Sequence, residues 1–264
     1  MKRVLTAFLL VPIAVYSALF APLWICSAVI ALVACLCFAE YAQITGSFAP
    51  LGFVAGLLIL AAPPELAALI VIVAALAAMC LPLAASDIEK AVIRSATLVL
   101  GIVYIFGSWK TAILLRGIDE PPLRHLTAGR HWLMFGLMVN WIGDTGAYYV
   151  GRNFGRRKMA PSISPGKTWE GAAASTVTGL IFGLIYLPLA ITGISFLKAG
   201  LMALAANTAG QAGDLAESAI KRGAGVKDSG ALLPGHGGML DRVDSTMFAL
   251  PALYTLLMLM RPWV

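Results

Sequence analysis

Four aspartates in the C-terminal half of the chain are spaced so that their carboxylates can act together. Asp241 and Asp244 stand three residues apart at the mouth of an apolar segment, so on a helix both face one site. Asp214 heads a second group, with Glu217, Ser218 and Lys221 following at i+3, i+4 and i+7, again one helix face. Asp144 lies inside a further apolar segment, in Trp141-Ile142-Gly143-Asp144-Thr145. Paired carboxylates suit Mg²⁺, which takes oxygen ligands and usually shares them with substrate phosphates. Plainer readings stand beside this one. Asp241 and Asp244 could be a solvated helix start, the Asp214 group a polar helix exit, and Asp144 a structural acid paired with a nearby cation. Gly210, Gln211 and Gly213 carry polarity back into the apolar segment, which favours a hydrophilic cavity with Asp214 as a metal ligand.

Between these acids runs a loop containing Gly223, Gly225, Lys227, Asp228, Gly230, Pro234, Gly235, His236, Gly237 and Gly238. Glycine permits close backbone approach, and successive amides can cradle phosphate oxygens; a flexible linker is the alternative. His236 reads as a phosphate donor or an acid/base. Upstream, Arg152, Arg156, Arg157 and Lys158 precede Ser164-Pro165-Gly166-Lys167-Thr168-Trp169-Glu170, a mixture of cations and hydroxyls that makes an anion site. The arginine cluster also fits a purely topological role, whereas Lys167 and Thr168 adjoin Trp169 and Glu170 at the head of a span. Gly166-Lys167-Thr168 is not the end of a P-loop, which needs glycine at position 161, here Pro161, and a preceding strand.

The elements that position these groups are apolar. Of 264 residues, 60% are hydrophobic and 12% charged, about half the charge of a soluble domain. The composition predicts an all-α polytopic integral membrane protein with about nine spans, near 4–21, 23–39, 48–62, 66–84, 95–115, 131–150, 171–190, 196–216 and 242–260. A version with eight spans and one early re-entrant segment is also compatible. The opening Met1-Lys2-Arg3 and the apolar run after it read as a retained first span, because no Ala-x-Ala site separates that run from the next. Thirteen basic residues fall on the side of the N-terminus and five opposite: Arg116, Arg124, Arg130, Lys198 and Arg261. That asymmetry places the N-terminus and the polar site in the cytosol. The loop at 116–130 is the weak point. Lys110 sits inside the fifth span, and His125 and His131 read as interfacial. Cys26, Cys35, Cys37 and Cys80 read as small buried hydrophobes. The +6 net charge fits loops against anionic headgroups and substrates rather than nucleic acid. One integral domain covers 1–264, with scaffold spans over 1–115 and the chemistry over 131–260.

The run from Ser218 to Asp244 closely resembles the signature of the phosphatidate cytidylyltransferases. Ser218, Ile220, Lys221, Arg222, Lys227, Asp228, Gly230, Leu233, Pro234, His236, Gly237, Gly238, Met239, Asp241, Arg242, Val243 and Asp244 all fit it. The segments around Asp144-Thr145 and Ser164 to Gly171 resemble that family's upstream elements, with Gly166 where a second lysine is common. The resemblance covers roughly 135–250. It implies transfer of CMP from CTP to phosphatidate within the membrane lipid, giving CDP-diacylglycerol and pyrophosphate. It implies Mg²⁺, with a second metal or K⁺ as an open alternative, and a homodimer in a bacterial inner membrane. On it, Asp214 and Asp241 hold metal, with Asp144 and Asp244 as further ligands or support. Lys167, Lys221, Arg222 and Lys227 take the phosphates, and Thr168 and Arg242 join that substrate site. Ser218, His236 and the amides of Gly237 and Gly238 complete the cradle. A transporter is the rival of a different class, but the charges gather at helix ends and no repeat is visible.

Overall fold

The computed structural model describes residues 2–81, 88–119, 126–233, 235 and 237–260. Arg124, His125, Pro234, His236 and Arg261 lie outside the described residues. Each of the nine apolar segments forms a helix: α1 Lys2–Leu19, α2 Leu23–Thr45, α3 Ala49–Ala61, α4 Pro64–Cys80, α5 Ala91–Arg116, α6 Ala128–Phe154, α7 Trp169–Ala190, α8 Phe196–Gly223 and α9 Leu240–Leu259. The protein is an all-α integral membrane protein. α2, α5 and α7 are long and apolar enough by themselves to cross a bilayer. Leucines, valines and isoleucines point outward along α2, α4, α5 and α7, as expected where lipid replaces water.

Three differences from the sequence-level expectation bear on the site. α8 runs to Gly223, so Lys221 is helical and keeps its register with Asp214 and Glu217. α9 begins at Leu240, which puts Asp241 in its first turn. The basic stretch after α6 is not all loop: Lys158–Ala160 (β1) and Ser164–Thr168 (β2) pair antiparallel, Lys158 opposite Thr168 and Ala160 opposite Ser164. The Glu170 carboxylate closes the base of this hairpin by accepting from the backbone amides of Arg156 and Arg157 at 3.2 Å.

Named contacts mark two ends of α6, its N-terminal end and the end that leads into the hairpin. At one end the Arg116 guanidinium donates to Ala21 O (2.7 Å) and Arg130 to Leu19 O (2.7 Å). These two cations therefore satisfy carbonyls at the C-terminal end of α1, a local use of positive charge. This gives a structural reason for two of the cations that oppose the charge asymmetry. Lys110, buried in α5, donates to Leu60 O at 3.0 Å and to Ala62 O, capping α3 from a neighbouring helix. At the other end lie the hairpin, the C-terminus of α8 and the N-terminus of α9, joined by the Arg222 donation to Ile163 O.

The C-terminal helices pack closely through small residues. Gly183 on α7 faces Ala203 on α8 so tightly that a Cβ there would lie 2.4 Å from the Ala203 Cβ. Asn207 and Gln211 of α8 bond to Ser175 and Thr176 of α7. Small side chains and interhelical hydrogen bonds are the usual adhesive where lipid removes the hydrophobic drive between helices.

A carboxylate-lined candidate active site

The site forms where α6, α8 and α9 converge below the hairpin. A polar cavity of about 510 Å³ is lined by Trp141 and Asp144 of α6, Asp214 and Lys221 of α8, Asp228 of the connecting loop, and Asp241, Arg242, Asp244 and Ser245 of α9. A second cavity of about 440 Å³ lies beneath the hairpin and shares Asp144 and Asp214 with the first. Its other walls include Tyr148, Arg152, Lys167, Thr168 and Gln211. The two carboxylates thus stand between two chambers. The polar cavity also shares Val11, Trp141 and Arg242 with an apolar groove of about 270 Å³ among α1, α2, α5, α6 and α9.

Helix approach brings Asp214 and Asp244 together. A Cβ at Gly213 would lie 2.9 Å from Asp244 O and 2.9 Å from the Phe248 Cβ, so a larger residue would push α8 off α9. Lys167, carried on β2, pairs with Asp214 at 2.7 Å. Lys221 pairs with Glu217 at 2.6 Å and with Asp241 at 2.6 Å. Asp241 also accepts from Ser229 N at 3.0 Å and Gly238 N at 2.8 Å. Its carboxylate is therefore clasped by one ammonium and two amides. Among the described residues, neither Asp144 nor Asp244 has a cation within ion-pair distance.

The donor set fits a hard cation. Asp144, Asp214 and Asp244 bring oxygen ligands to a space in which Lys221 already serves Asp241 and Glu217, and Lys167, from the neighbouring cavity, serves Asp214. Among the described residues, no three His, Cys, Asp or Glu side chains close on a single point. Mg²⁺ is usually held by one or two carboxylates together with phosphate oxygens and water.

Not every residue singled out in the sequence reaches a cavity wall. Thr168 lines the hairpin cavity, but its Oγ1 also accepts from Gly171 N at 3.1 Å and so caps α7. Arg222 bonds Ile163 O and Val226 O, tying loop to hairpin. Ser218 and Lys227 line neither cavity. Gly237 has φ of +79°, and a Cβ there would lie 2.6 Å from Asp241 Oδ2, so its lack of a side chain makes room for that carboxylate. The Gly238 amide is spent on Asp241 rather than left open for phosphate. His236 lies outside the described residues.

Sequence reasoning passed over Glu40. This α2 residue is 6% exposed, and its carboxylate accepts from Ser229 Oγ (2.8 Å), Met239 N (2.9 Å) and Leu240 N (2.9 Å). The available signal was a lone acid directly after the 23–39 apolar run, in a helix that continues to Thr45, and an acid within a span by default marks function.

The model of the cytidylyltransferase family matches residues 1–260, and the chain belongs to that family. A phosphatidate cytidylyltransferase of Bacillus subtilis is 42% identical over 160 residues, 61% of this chain and 57% of the relative. One from Staphylococcus saprophyticus is 46% identical over 129 residues, 49% of this chain and 50% of the relative. One from Haemophilus influenzae is 40% identical over 148 residues, 51% of this chain and 50% of the relative. The chain thus spans about half the length of the curated relatives it matches.

Proposed function

We propose that this protein is a phosphatidate cytidylyltransferase, joining CMP from CTP to phosphatidate to give CDP-diacylglycerol and pyrophosphate. The observation that carries the reading is the cavity where Asp144, Asp214, Asp241 and Asp244 meet Lys221 and Arg242. Its continuity with an apolar groove at Arg242 suits a substrate that is anionic at one end and lipid at the other. A phosphate oxygen of phosphatidate attacks the α-phosphorus of CTP. The bond from that phosphorus to the oxygen bridging to the β-phosphorus breaks, and its electron pair leaves with pyrophosphate. A monoester phosphate is mostly deprotonated near neutral pH, so no strong general base is needed. The work is positioning and charge neutralisation.

In this reading Asp214, with Asp144 or Asp244 as its neighbour in the cavity, would supply one or two carboxylates to Mg²⁺ beside phosphate oxygens and water, while Asp241, held by Lys221, would support the site from the first turn of α9. Held by these residues, such an ion would supply positive charge against the phosphates. Lys167, Lys221 and Arg242 meet the remaining phosphate oxygens, and Thr168 lines the chamber beneath the hairpin. Ser218, Arg222, Lys227, His236 and the amides of Gly237 and Gly238 remain assigned to the phosphates by the family resemblance alone; a second metal or K⁺ has the same standing. In this reading the chain crosses a bacterial inner membrane nine times, and the excess of basic residues on the side of the N-terminus and the site assigns that side to the cytosol, where CTP is found; the chain acts as a homodimer and without nucleic acid.

The test is incubation of the purified, detergent-solubilised protein with phosphatidate, labelled CTP and Mg²⁺, against an EDTA control. Metal-dependent labelled CDP-diacylglycerol and pyrophosphate are expected. No product from folded protein across several lipids and metals would overturn the assignment.

A further inference from the structure

We propose that Glu40 is a positioning residue for the reaction: from the scaffold half of the chain it holds the loop that orients Asp241, and turnover depends on its carboxylate. The inference rests on the reading of the polar cavity as the site of cytidylyl transfer.

A carboxylate buried in an apolar span is costly unless its lone pairs are satisfied. Glu40 meets that demand with three donors, 189, 199 and 200 residues away along the chain. Two of them, the amides of Met239 and Leu240, belong to the start of α9, where no local side chain caps the helix. Unpaired amides and the positive end of the helix dipole favour an anion at that place. Glu40 therefore caps α9 from α2.

The third donor links Glu40 to the site. Ser229 gives its hydroxyl to Glu40 and its backbone amide to Asp241. Gly238 gives its amide to Asp241, next to Met239, whose amide goes to Glu40. Two carboxylates, one from each half of the molecule, thus grip adjacent donors of the same loop. Glycines make the grip possible. A Cβ at Gly230 would lie 2.9 Å from Glu40 Oε1, and one at Gly238 would lie 2.3 Å from Glu40 Oε2. If the amides of Met239 and Leu240 shift, Gly238 and Asp241 shift with them. Reactions that proceed by positioning lose rate on displacements of about 1 Å.

Glu40→Gln preserves size, removes the charge and turns one acceptor into a donor facing amides. Ser229→Ala removes only the hydroxyl link. Glu40→Gln is expected to lower kcat about ten- to hundredfold, the usual cost of losing a supporting partner, with a smaller change in the KM for CTP. Glu40→Asp should recover part of the loss. Ser229→Ala should lose less, and the double variant should fall no further than Glu40→Gln. In hydrogen exchange, the amides of Ser229 and Gly238 to Leu240 should open faster in Glu40→Gln while those of α7 and α8 stay as protected as before. Should Glu40→Gln fail to fold, Ser229→Ala and Glu40→Asp carry the same comparison. Full kcat in a folded variant, or exchange that rises equally in every helix, would overturn the proposal. If the wild-type protein transfers no cytidylyl group, the functional reading fails, and local exchange alone still decides whether Glu40 holds the loop.

Discussion

Lys221 is the residue on which the charges of the site turn. Its ammonium lies between the nearly inaccessible carboxylates of Glu217 and Asp241, 2.6 Å from each. Removing one member of a buried ionic group leaves an uncompensated charge, at about 3–5 kcal/mol. Lys221→Met should therefore lower stability by about that amount in detergent unfolding, and adding Glu217→Gln should restore part of the stability without restoring turnover. Asp214→Asn and Asp241→Asn are expected to behave differently. Each should abolish most cytidylyl transfer while the protein stays folded in the membrane; near-normal turnover by either variant would remove that residue from the reaction. Asp214 with Lys221, and Asp241 with Asp244, were legible in the sequence because helical spacing places each pair on one face, and Asp144 was legible as an acid inside an apolar span. Glu40 was visible only as an isolated acid, since its partners come from a loop some two hundred residues away.

At the scale of elements, the helices that carry the site depend on close approach. Gly183→Ala would drive its Cβ to 2.4 Å from the Ala203 Cβ, a methyl with no freedom to swing away. Overpacking of this kind costs about 1–3 kcal/mol, so the thermal midpoint of the purified protein should fall. Gly200→Ala is the matched control on α8. Its Cβ would meet the Leu180 and Leu184 side chains at 3.6 Å, an ordinary contact, and the midpoint should stay or rise. Among the described residues, a helix stands at each of the nine apolar runs read in the sequence, though α3 is only 13 residues long. The β-hairpin was not legible there. It is short and polar and brings Lys167 to Asp214, and no alternation of apolar residues announces a three-residue strand.

At the scale of the molecule, the hairpin, the C-terminus of α8 and the N-terminus of α9 gather at the C-terminal end of α6, and the Arg116–Ala21 and Arg130–Leu19 contacts at its N-terminal end. The proposed cytosolic site predicts that a membrane-impermeant maleimide applied to intact cells labels Thr192→Cys, in the turn after α7, and spares Ser162→Cys in the hairpin; both positions are exposed. The reverse pattern would invert the topology. The sequence by itself determined the membrane class, the helices and the acids that could share a face, because those depend on local composition and on a period of 3.6 residues. Only the tertiary structure decided which faces met. It set Asp144 beside Asp214 between two chambers, spent Lys221 and the Gly238 amide on Asp241, and anchored the loop to Glu40. Each of those choices follows from packing between helices far apart in the chain, where a glycine admits a neighbour and a buried charge must find its partners.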